Sequence, residues 1–234
     1  SLGDIKMKLS VIIPVYNEKN TIGALFEKVK NVDIEKEIII VDDCSTDGTK
    51  EIVNRFAKDE TVRVLCQPEN KGKGFAIRTA LQYVTGEVVI IQDADLEYDP
   101  NDYKILIKPI VDGVTDVVYG SRWLMSHFHN LPYNRFRLAT ALLTFMANVL
   151  YNAKITDEPT CYKVFRTSTL KSLNLKCERF EFCPEVTAKL RKKGFKIYEM
   201  PIYYKPRSLE DGKKIRFKDG LAAIWTLIKY RFVD

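Results

Sequence analysis

Short runs of β-branched residues alternate with helix-like patterns along the first half of the chain, and this alternation limits the possible folds more than any other feature. Residues 9–13 (LSVII) and 37–41 (EIIIV) predict two strands that are buried on both faces. The apolar residues between them have the i, i+3, i+4, i+7 spacing of a helix that packs on a sheet: Ile22, Leu25, Phe26 and Val29. Further strands are predicted at residues 62–66, 87–92 and 116–120. Strands and helices alternating at this spacing predict an α/β fold with a doubly wound, mainly parallel sheet flanked by helices.

Polar residues follow the end of nearly every predicted strand. In open parallel sheets ligands bind beyond the carboxyl ends of the strands, so these residues are expected to share one cleft. They include Tyr16 and Glu18, Asp42 and Asp43, Asp93 and Asp95, and Arg122.

The alternation stops after Arg122. A long helix is predicted at about residues 134–152, with one narrow polar stripe formed by Arg137, Thr140, Thr144 and Asn148. Such a helix is either deeply buried or faces an apolar partner. A strand at 162–166, a helix at 182–193, a strand at 195–204 and a terminal amphipathic helix follow. That last helix carries the apolar stripe Leu221, Ile224, Trp225, Ile228 and Phe232, for which packing on the sheet and docking at a membrane surface both remain open.

Length, charge and cysteine content exclude some classes. The 234 residues suit one domain over 1–234, with two halves at 1–122 and 123–234 that meet where the alternation of strands and helices stops. The net charge of +6 comes with no basic run interleaved with aromatics, so nucleic acid is not an expected partner. The five cysteines form no C-x-x-C pair and follow no secretory leader, which favours free thiols in a reducing compartment. No stretch reaches the ~18 apolar residues that span a bilayer.

Three short segments carry the expected chemistry. Asp93 and Asp95 directly follow a buried strand, where one carboxylate could accept from a ribose hydroxyl and the other could hold a divalent cation against a diphosphate. Asp43 ends another strand and could receive hydrogen bonds from a base or ribose, or could cap the next helix. Residues 70–74 (NKGKG) open a helix with two glycines and two lysines, which suits a backbone that approaches an anion.

Taken together, these segments resemble the family 2 glycosyltransferases of the GT-A fold, and most closely the dolichol-phosphate mannosyltransferase and polyprenyl-phosphate glycosyltransferase branch. The resemblance covers nearly the whole chain. It rests on residues 10–18, 41–49, 70–76, 92–96, 120–122 and 157–163.

The resemblance implies a donor site and a metal. Residues that would bind the nucleotide sugar are Pro14, Tyr16, Glu18, Asp43, Lys71, Gly72 and Asp93. Asp95 would ligate Mg²⁺ or Mn²⁺ on the diphosphate, together with Glu97, which stands where the branch usually has glutamine.

For the acceptor, the mechanism depends on charge. A phosphate is already largely ionised at neutral pH, so it needs cations rather than a base. The candidates are Arg122, Arg135, Arg137, Lys205 and Arg207, with Ala139 at the position where the branch tends to have a serine. A saccharide hydroxyl would instead need a carboxylate base, and Asp157 is the candidate, although it could simply cap a turn. Arg122 and Asp157 are therefore the catalytic candidates.

The resemblance implies an inverting transfer of a hexose from a GDP- or UDP-sugar to a dolichyl or undecaprenyl phosphate. The protein would be cytoplasmic and peripheral to the cytoplasmic face of a membrane, either by direct contact or through a separate membrane subunit, and a homodimer is a further option. Transfer to a saccharide hydroxyl in capsule, glycolipid or lipopolysaccharide assembly is the alternative. A nucleotide-binding module without catalysis is a third, distinct hypothesis, and the sequence does not decide the sugar, the base or the lipid.

Overall fold

A single seven-stranded sheet organises the chain. The computed structural model describes residues 7–125, 135–207 and 217–233. The strand order is β3-β2-β1-β4-β6-β5-β7, and β6 alone among these strands runs antiparallel to its neighbours. The predicted α/β class and mainly parallel sheet are confirmed. The strands are β1 (Leu9–Val15), β2 (Lys36–Asp42), β3 (Val62–Cys66), β4 (Val88–Ile91), β5 (Val117–Ser121), β6 (Lys163–Arg166) and β7 (Tyr198–Pro201).

Helices flank both faces of the sheet. They are α1 (Ile22–Asn31), α2 (Thr49–Phe56), α3 (Lys73–Leu81), α4 (Tyr103–Val111), α5 (Arg135–Tyr151), α6 (Thr167–Ser172), α7 (Phe182–Lys192) and α8 (Phe217–Phe232). The sequence did not predict α6, because six residues are too few to show a helical period. The strand predicted at 195–204 is shorter in the structure, and beyond it Tyr204 forms only an isolated bridge with Tyr98.

Successive residues of the central strands feed two separate cores, because side chains alternate across a sheet. Ile12 and Ile39 face the core that contains α3, α5, α7 and α8, whereas Val11 and Ile38 face the core of α1 and α4. Both faces of the sheet are covered, which explains why the strands appear in the sequence as unbroken apolar runs.

The reversed strand β6 lies between β4 and β5. Because it runs opposite to both, its amino-terminal end meets their carboxyl-terminal ends. The segment that precedes β6, including Asp157, is thereby delivered to the edge of the sheet where β4 and β5 end. The segment before β6, from the second half of the chain, thus helps to build the cleft.

Helix α5 is oriented with polar side chains inward. The Asn148 amide exchanges hydrogen bonds with the backbone of Ile155 (2.8 and 2.9 Å), and the Thr144 hydroxyl accepts from the N–H of Glu158 (3.0 Å). Large apolar side chains at i, i+4, i+7 and i+11 point outward: Leu138, Leu142, Phe145 and Val149.

Helix α8 packs against α5 and α7 through Ala223, Leu227 and Tyr230. The apolar stripe singled out in the sequence mostly faces outward instead, with Trp225 64% and Phe232 82% exposed. The interpretation that this stripe packs on the sheet is therefore wrong for four of its residues: Leu221, Trp225, Ile228 and Phe232. Ile224 packs partly against the core. Among the described helices, none is both long enough and apolar enough to cross a bilayer.

Candidate active site

The two aspartates after β4 each hold a cationic side chain. Asp93 pairs with the ammonium of Lys73, from the first turn of α3, and that ammonium also lies 3.5 Å from the Cys161 sulfur. Burial opposes ionisation of Asp93, but the Lys73 charge and a hydrogen bond from the Cys161 thiol outweigh it and lower the Asp93 pKa. Asp93 is thus a charged group with a fixed counter-ion.

Asp95 is in the opposite electrostatic situation. Burial and the nearby charges of Asp93 and Glu97 raise the pKa of Asp95 to about 7. Its Oδ2 lies 3.0 Å from Nη2 of Arg207, and its Oδ1 accepts the N–H of Glu97 at 3.1 Å. Additional positive charge beside this carboxylate would relieve the repulsion.

Glu97 holds the segment that carries Arg207. Its Oε1 accepts the backbone N–H of Arg207 (2.7 Å), and its carbonyl accepts the N–H of Lys205 (2.9 Å). The Tyr204 hydroxyl also hydrogen-bonds the Glu97 carboxylate. The predicted metal ligand is therefore occupied with positioning residues 204–207.

The residues present fit a divalent cation that completes its shell with ligand oxygens. Within residues 7–125, 135–207 and 217–233, no group of three or more His, Cys, Asp or Glu side chains is arranged to hold a metal by itself. Mg²⁺ in nucleotide enzymes is commonly held by one or two carboxylates, with phosphates and water as the other ligands. Asp95 matches this mode, and a guanidinium cation already lies against its carboxylate.

Glu18 lies on the opposite side of that guanidinium. Its two oxygens are 3.2 and 3.3 Å from the Nη atoms of Arg207, and the Thr21 hydroxyl donates to it at 2.8 Å. Pro14 and Tyr16 lie half-buried at the end of β1, beside Glu18. These three predicted nucleotide-binding residues therefore line the same edge as Asp95.

Asp43 fastens the loop that follows β3. Its carboxylate accepts the backbone N–H groups of Lys71 (2.8 Å) and Gly72 (2.7 Å). Burial raises the pKa of Asp43, and the two hydrogen bonds only partly offset this effect. The Lys71 ammonium points to Glu69 at 3.0 Å and lies over the Phe75 ring.

The glycine-rich run at 70–74 serves packing rather than an open anion site. The N–H groups of Gly74 and Phe75, in the first turn of α3, donate to the carbonyls of Arg179 (3.0 Å) and Glu178 (2.8 Å). At Gly72, with φ +94°, a Cβ would lie 2.6 Å from the Glu178 carbonyl oxygen. The expectation that this helix start offers its backbone to an anion is therefore wrong, because the chain itself occupies those donors.

Arg122 and Asp157 form a buried ion pair. Asp157 accepts three hydrogen bonds from Arg122: from the backbone N–H (3.0 Å), from Nε (2.7 Å) and from Nη2 (2.7 Å). Asp157 is 0% exposed, and Arg122 is also buried. Both carboxylate oxygens of Asp157 are thus engaged by one guanidinium and its backbone.

Tyr204 connects this pair to the aspartates. The Arg122 guanidinium carbon lies 5.0 Å from the centre of the Tyr204 ring, while the Tyr204 hydroxyl bonds Glu97. Arg122 and the Asp95 region therefore share one continuous set of contacts.

The other predicted acceptor-side cations are dispersed. Lys205 is exposed beside Tyr204, and Arg137 lies over the Trp123 ring at 5.0 Å. Arg207 lies on the donor side, between Glu18 and Asp95, and not beside Arg122. The side chain of Arg135 is outside the described residues.

The site contains two residues that the sequence analysis did not select. Lys73 stood in the 70–74 run, but Lys71 was selected from that run instead. Tyr204 lay inside a predicted strand, where an aromatic residue is ordinary. Neither had a local signal, since both acquire their roles from partners that are distant in sequence.

A cleft of acidic and basic side chains at the carboxyl edge of a mainly parallel sheet defines the class: an α/β protein with a ligand-binding cleft at the place where such folds bind their ligands. The family model of glycosyl transferase family 2 matches residues 10–173. The chain belongs to this family of glycosyltransferases, as the sequence resemblance implied.

Two relatives of known name align along nearly the whole chain. The low-salt glycan biosynthesis hexosyltransferase Agl6 of Haloferax volcanii is 29% identical over 99% of this chain and 54% of its own length. The dolichyl-phosphate beta-glucosyltransferase ALG5A of Trichomonas vaginalis is 30% identical over 94% of this chain and 72% of its own length. The chain thus spans about half of the first relative and nearly three quarters of the second.

Among solved structures, the glucosyl-3-phosphoglycerate synthase of Mycobacterium tuberculosis in complex with Mn²⁺, UDP and phosphoglyceric acid is similar in fold. The two structures superpose with a TM-score of 0.75 and share 18% sequence identity. The match covers 100% of this chain and 84% of the synthase chain. The same synthase has also been solved with Mg²⁺ and UDP. This similarity confirms the GT-A fold.

Proposed function

We propose that the protein transfers a hexose from a GDP- or UDP-sugar to a polyprenyl phosphate, with inversion at the anomeric carbon. The observation that carries this proposal is the buried Arg122–Asp157 pair beside the donor carboxylates. The pair supplies a fixed cation for an anionic acceptor and leaves the nominated base without an accessible oxygen. The name of the Trichomonas relative, a dolichyl-phosphate glucosyltransferase, supports the same acceptor class.

On the donor side, Pro14, Tyr16 and Glu18 would border the nucleotide, with Asp43 holding the 70–72 loop in place beside them. Asp95 would hold Mg²⁺ or Mn²⁺, which when bound stabilises negative charge on the diphosphate leaving group. Lys73 keeps Asp93 ionised, so that Asp93 can accept from a donor hydroxyl. Glu97 fixes residues 204–207 along the edge of this site.

On the acceptor side, Arg122 would bind the phosphate. Asp157 binds the Nε and Nη2 atoms of the guanidinium and so fixes its position beside the donor carboxylates. An ionised phosphate oxygen attacks without a general base. Direct attack on the face opposite the diphosphate inverts the anomeric centre, whereas retention would need a covalent intermediate with a carboxylate nucleophile.

The saccharide alternative needs a base that can reach a hydroxyl proton. Asp157 was the candidate, and its carboxylate is fully buried under Arg122. We therefore assign Asp157 the role of positioning Arg122, and favour the lipid phosphate as acceptor.

Contact with a membrane is supported by the joined outer faces of α5 and α8. Each presents four apolar side chains at i, i+4, i+7 and i+11, and the two helices are in contact. Large exposed apolar patches mark interaction sites. Lys218, Lys229 and Arg231 are exposed on α8, and α5 contains no acidic residue, which suits an anionic lipid surface.

The reaction is tested with a panel of GDP- and UDP-sugars and short-chain polyprenyl phosphates, with and without Mn²⁺. We expect turnover with at least one donor, dependence on the cation, and a product whose anomeric configuration, determined by NMR, is inverted. Arg122→Gln should raise KM for the acceptor far more than for the donor, whereas Arg166→Gln, at the partly exposed pair with Asp116, should change neither. Turnover with a saccharide but with no polyprenyl phosphate would contradict the proposal.

Membrane contact is tested by co-sedimentation with phosphatidylglycerol vesicles. Trp225→Ser should weaken binding, while Val114→Ser, which removes an equally exposed apolar side chain after α4, should not. If both variants bind the vesicles equally well, the apolar faces of α5 and α8 do not mediate membrane contact. A dimer that is lost in Trp225→Ser would assign the surface to a second copy of the chain.

A further inference from the structure

The cation position beside Asp95 is occupied by a side chain of the protein itself. Nη2 of Arg207 lies 3.0 Å from Oδ2 of Asp95, and its Nη atoms lie 3.2 and 3.3 Å from the oxygens of Glu18. All three side chains are largely buried, with 10–16% of their surface exposed. The guanidinium therefore neutralises two acidic groups that the proposed function assigns to the donor and its metal.

A metal ion on the Asp95 carboxylate would lie close to the guanidinium, which is only 3.0 Å from Oδ2, and two cations this close in a largely buried site repel each other. We propose that Arg207 competes with the divalent cation for Asp95 and thereby makes cation binding depend on the nucleotide. This inference rests on the proposed donor site, and it concerns the order in which that site fills.

The two cations on the aspartate pair differ in how they are held. Lys73 belongs to the first turn of α3, whose N–H groups are anchored on residues 178–179. Arg207 belongs to the 204–207 segment, which is attached through Glu97 by two backbone hydrogen bonds. Those bonds involve the backbone of Arg207 and Lys205, so the guanidinium can move away from Asp95 while they remain intact.

The charge balance explains the dependence on the nucleotide. A cation that binds alone must displace the guanidinium from Asp95 and so break one of its two carboxylate contacts, while the contact with Glu18 can remain. A nucleotide diphosphate brings new anionic oxygens, which add ligands for the cation and attract the displaced arginine. Cation and nucleotide are therefore expected to bind cooperatively, so that each increases the affinity of the protein for the other by the same factor.

The test measures Mn²⁺ binding in the absence of nucleotide, by electron paramagnetic resonance of the free ion. Arg207→Gln should bind Mn²⁺ at least about tenfold more tightly than the wild type, which corresponds to about 1.4 kcal/mol. Arg207→Lys keeps the positive charge and should stay close to the wild type. Arg166→Gln, which removes a guanidinium from the partly exposed pair with Asp116, should have no effect.

Adding UDP or GDP should tighten Mn²⁺ binding to the wild type more than to Arg207→Gln, because the variant has no guanidinium to displace. In the wild type, Mg²⁺ should also shift the Nε–H resonance of Arg207, assigned by its loss in Arg207→Lys. Mn²⁺ affinity in Arg207→Gln that equals or falls below the wild type overturns the inference. So does an Arg207 resonance that does not respond to saturating Mg²⁺. The measurements made without nucleotide do not depend on turnover. They therefore test the competition between Arg207 and the cation even if the proposed reaction is not observed.

Discussion

Replacing Asp157 by asparagine should cost the protein about 3 kcal/mol of unfolding free energy. Asp157 is fully buried and accepts three hydrogen bonds from Arg122, two of them from the guanidinium. Removing one charge of a buried pair leaves the other uncompensated, which costs roughly 3–5 kcal/mol. We take the lower end because asparagine keeps the shape and one accepting oxygen, although its NH₂ group then faces the donors of Arg122.

The assay is equilibrium unfolding in urea, followed by tryptophan fluorescence, since Trp123 lies directly after Arg122. In a thermal melt of a chain of this length, 1 kcal/mol shifts Tm by about 2–4 °C, so Tm is expected to fall by about 6–12 °C. The matched control is Asp116→Asn, because Asp116 pairs with Arg166 at 2.8 Å where both side chains are partly exposed. That variant should lose no more than about 1 kcal/mol.

If Asp157→Asn is no less stable than Asp116→Asn, the buried pair does not hold the site together and the reasoning fails. A second readout separates positioning from catalysis by a base. Loss of a positioning residue should raise KM for the acceptor and leave turnover at saturation comparatively intact. A collapse of kcat at saturating acceptor would restore Asp157 as the base and favour a saccharide acceptor.

Two further changes test the framework around the site. Burial alone would raise the pKa of Glu37, but hydrogen bonds, including those from Thr85, lower it to about 2. Because the pKa of Glu37 is lower in the folded protein, its ionised carboxylate stabilises the fold at pH values above about 4.5. This stabilisation is lost as the pH falls towards 2. Glu37→Gln should therefore cost about 1–2 kcal/mol at pH 7 and much less near pH 2, measured by urea unfolding at both values. Gly72→Ala should cost about 1–3 kcal/mol, because the new Cβ would meet the Glu178 carbonyl at a positive φ, while Gly23→Ala, with open space around it, should cost nothing.

The sheet could be predicted from the sequence because its strands are buried on both faces. That burial demands unbroken apolar runs, and residues 9–13 and 37–41 have no helical period that would compete with a strand. The direction of the parallel strands also predicted which edge of the sheet carries the site. By contrast, nothing local indicated that β6 is reversed between β4 and β5, because strand direction depends on pairing across the sheet.

The assignment of side chains within the cleft was predicted less well, for a related reason. Arg207 was grouped with the acceptor cations on the basis of its charge, yet its partners Asp95 and Glu18 are 112 and 189 residues away in sequence. The 70–74 run shows the converse error. Its glycines suggested an open backbone, but the carbonyls that fill the space come from residues 178–179. Local patterns identify which residue types are available, and long-range packing decides what each one contacts.

Helix α5 gives a physical reason for placing the acceptor site next to an apolar surface. Its inward polar residues Thr144 and Asn148 hold the backbone at 155–158, and this backbone presents Asp157 to Arg122. Its outward face is apolar over about three turns. Leu143, Ala147 and Tyr151 of the same helix are buried in the core, so α5 has apolar residues on both its inner and its outer side, whereas an ordinary surface helix has a polar outer side. The same element can therefore support a phosphate-binding arginine on one side and contact hydrocarbon on the other, which is the geometry that a lipid phosphate requires and a free saccharide does not.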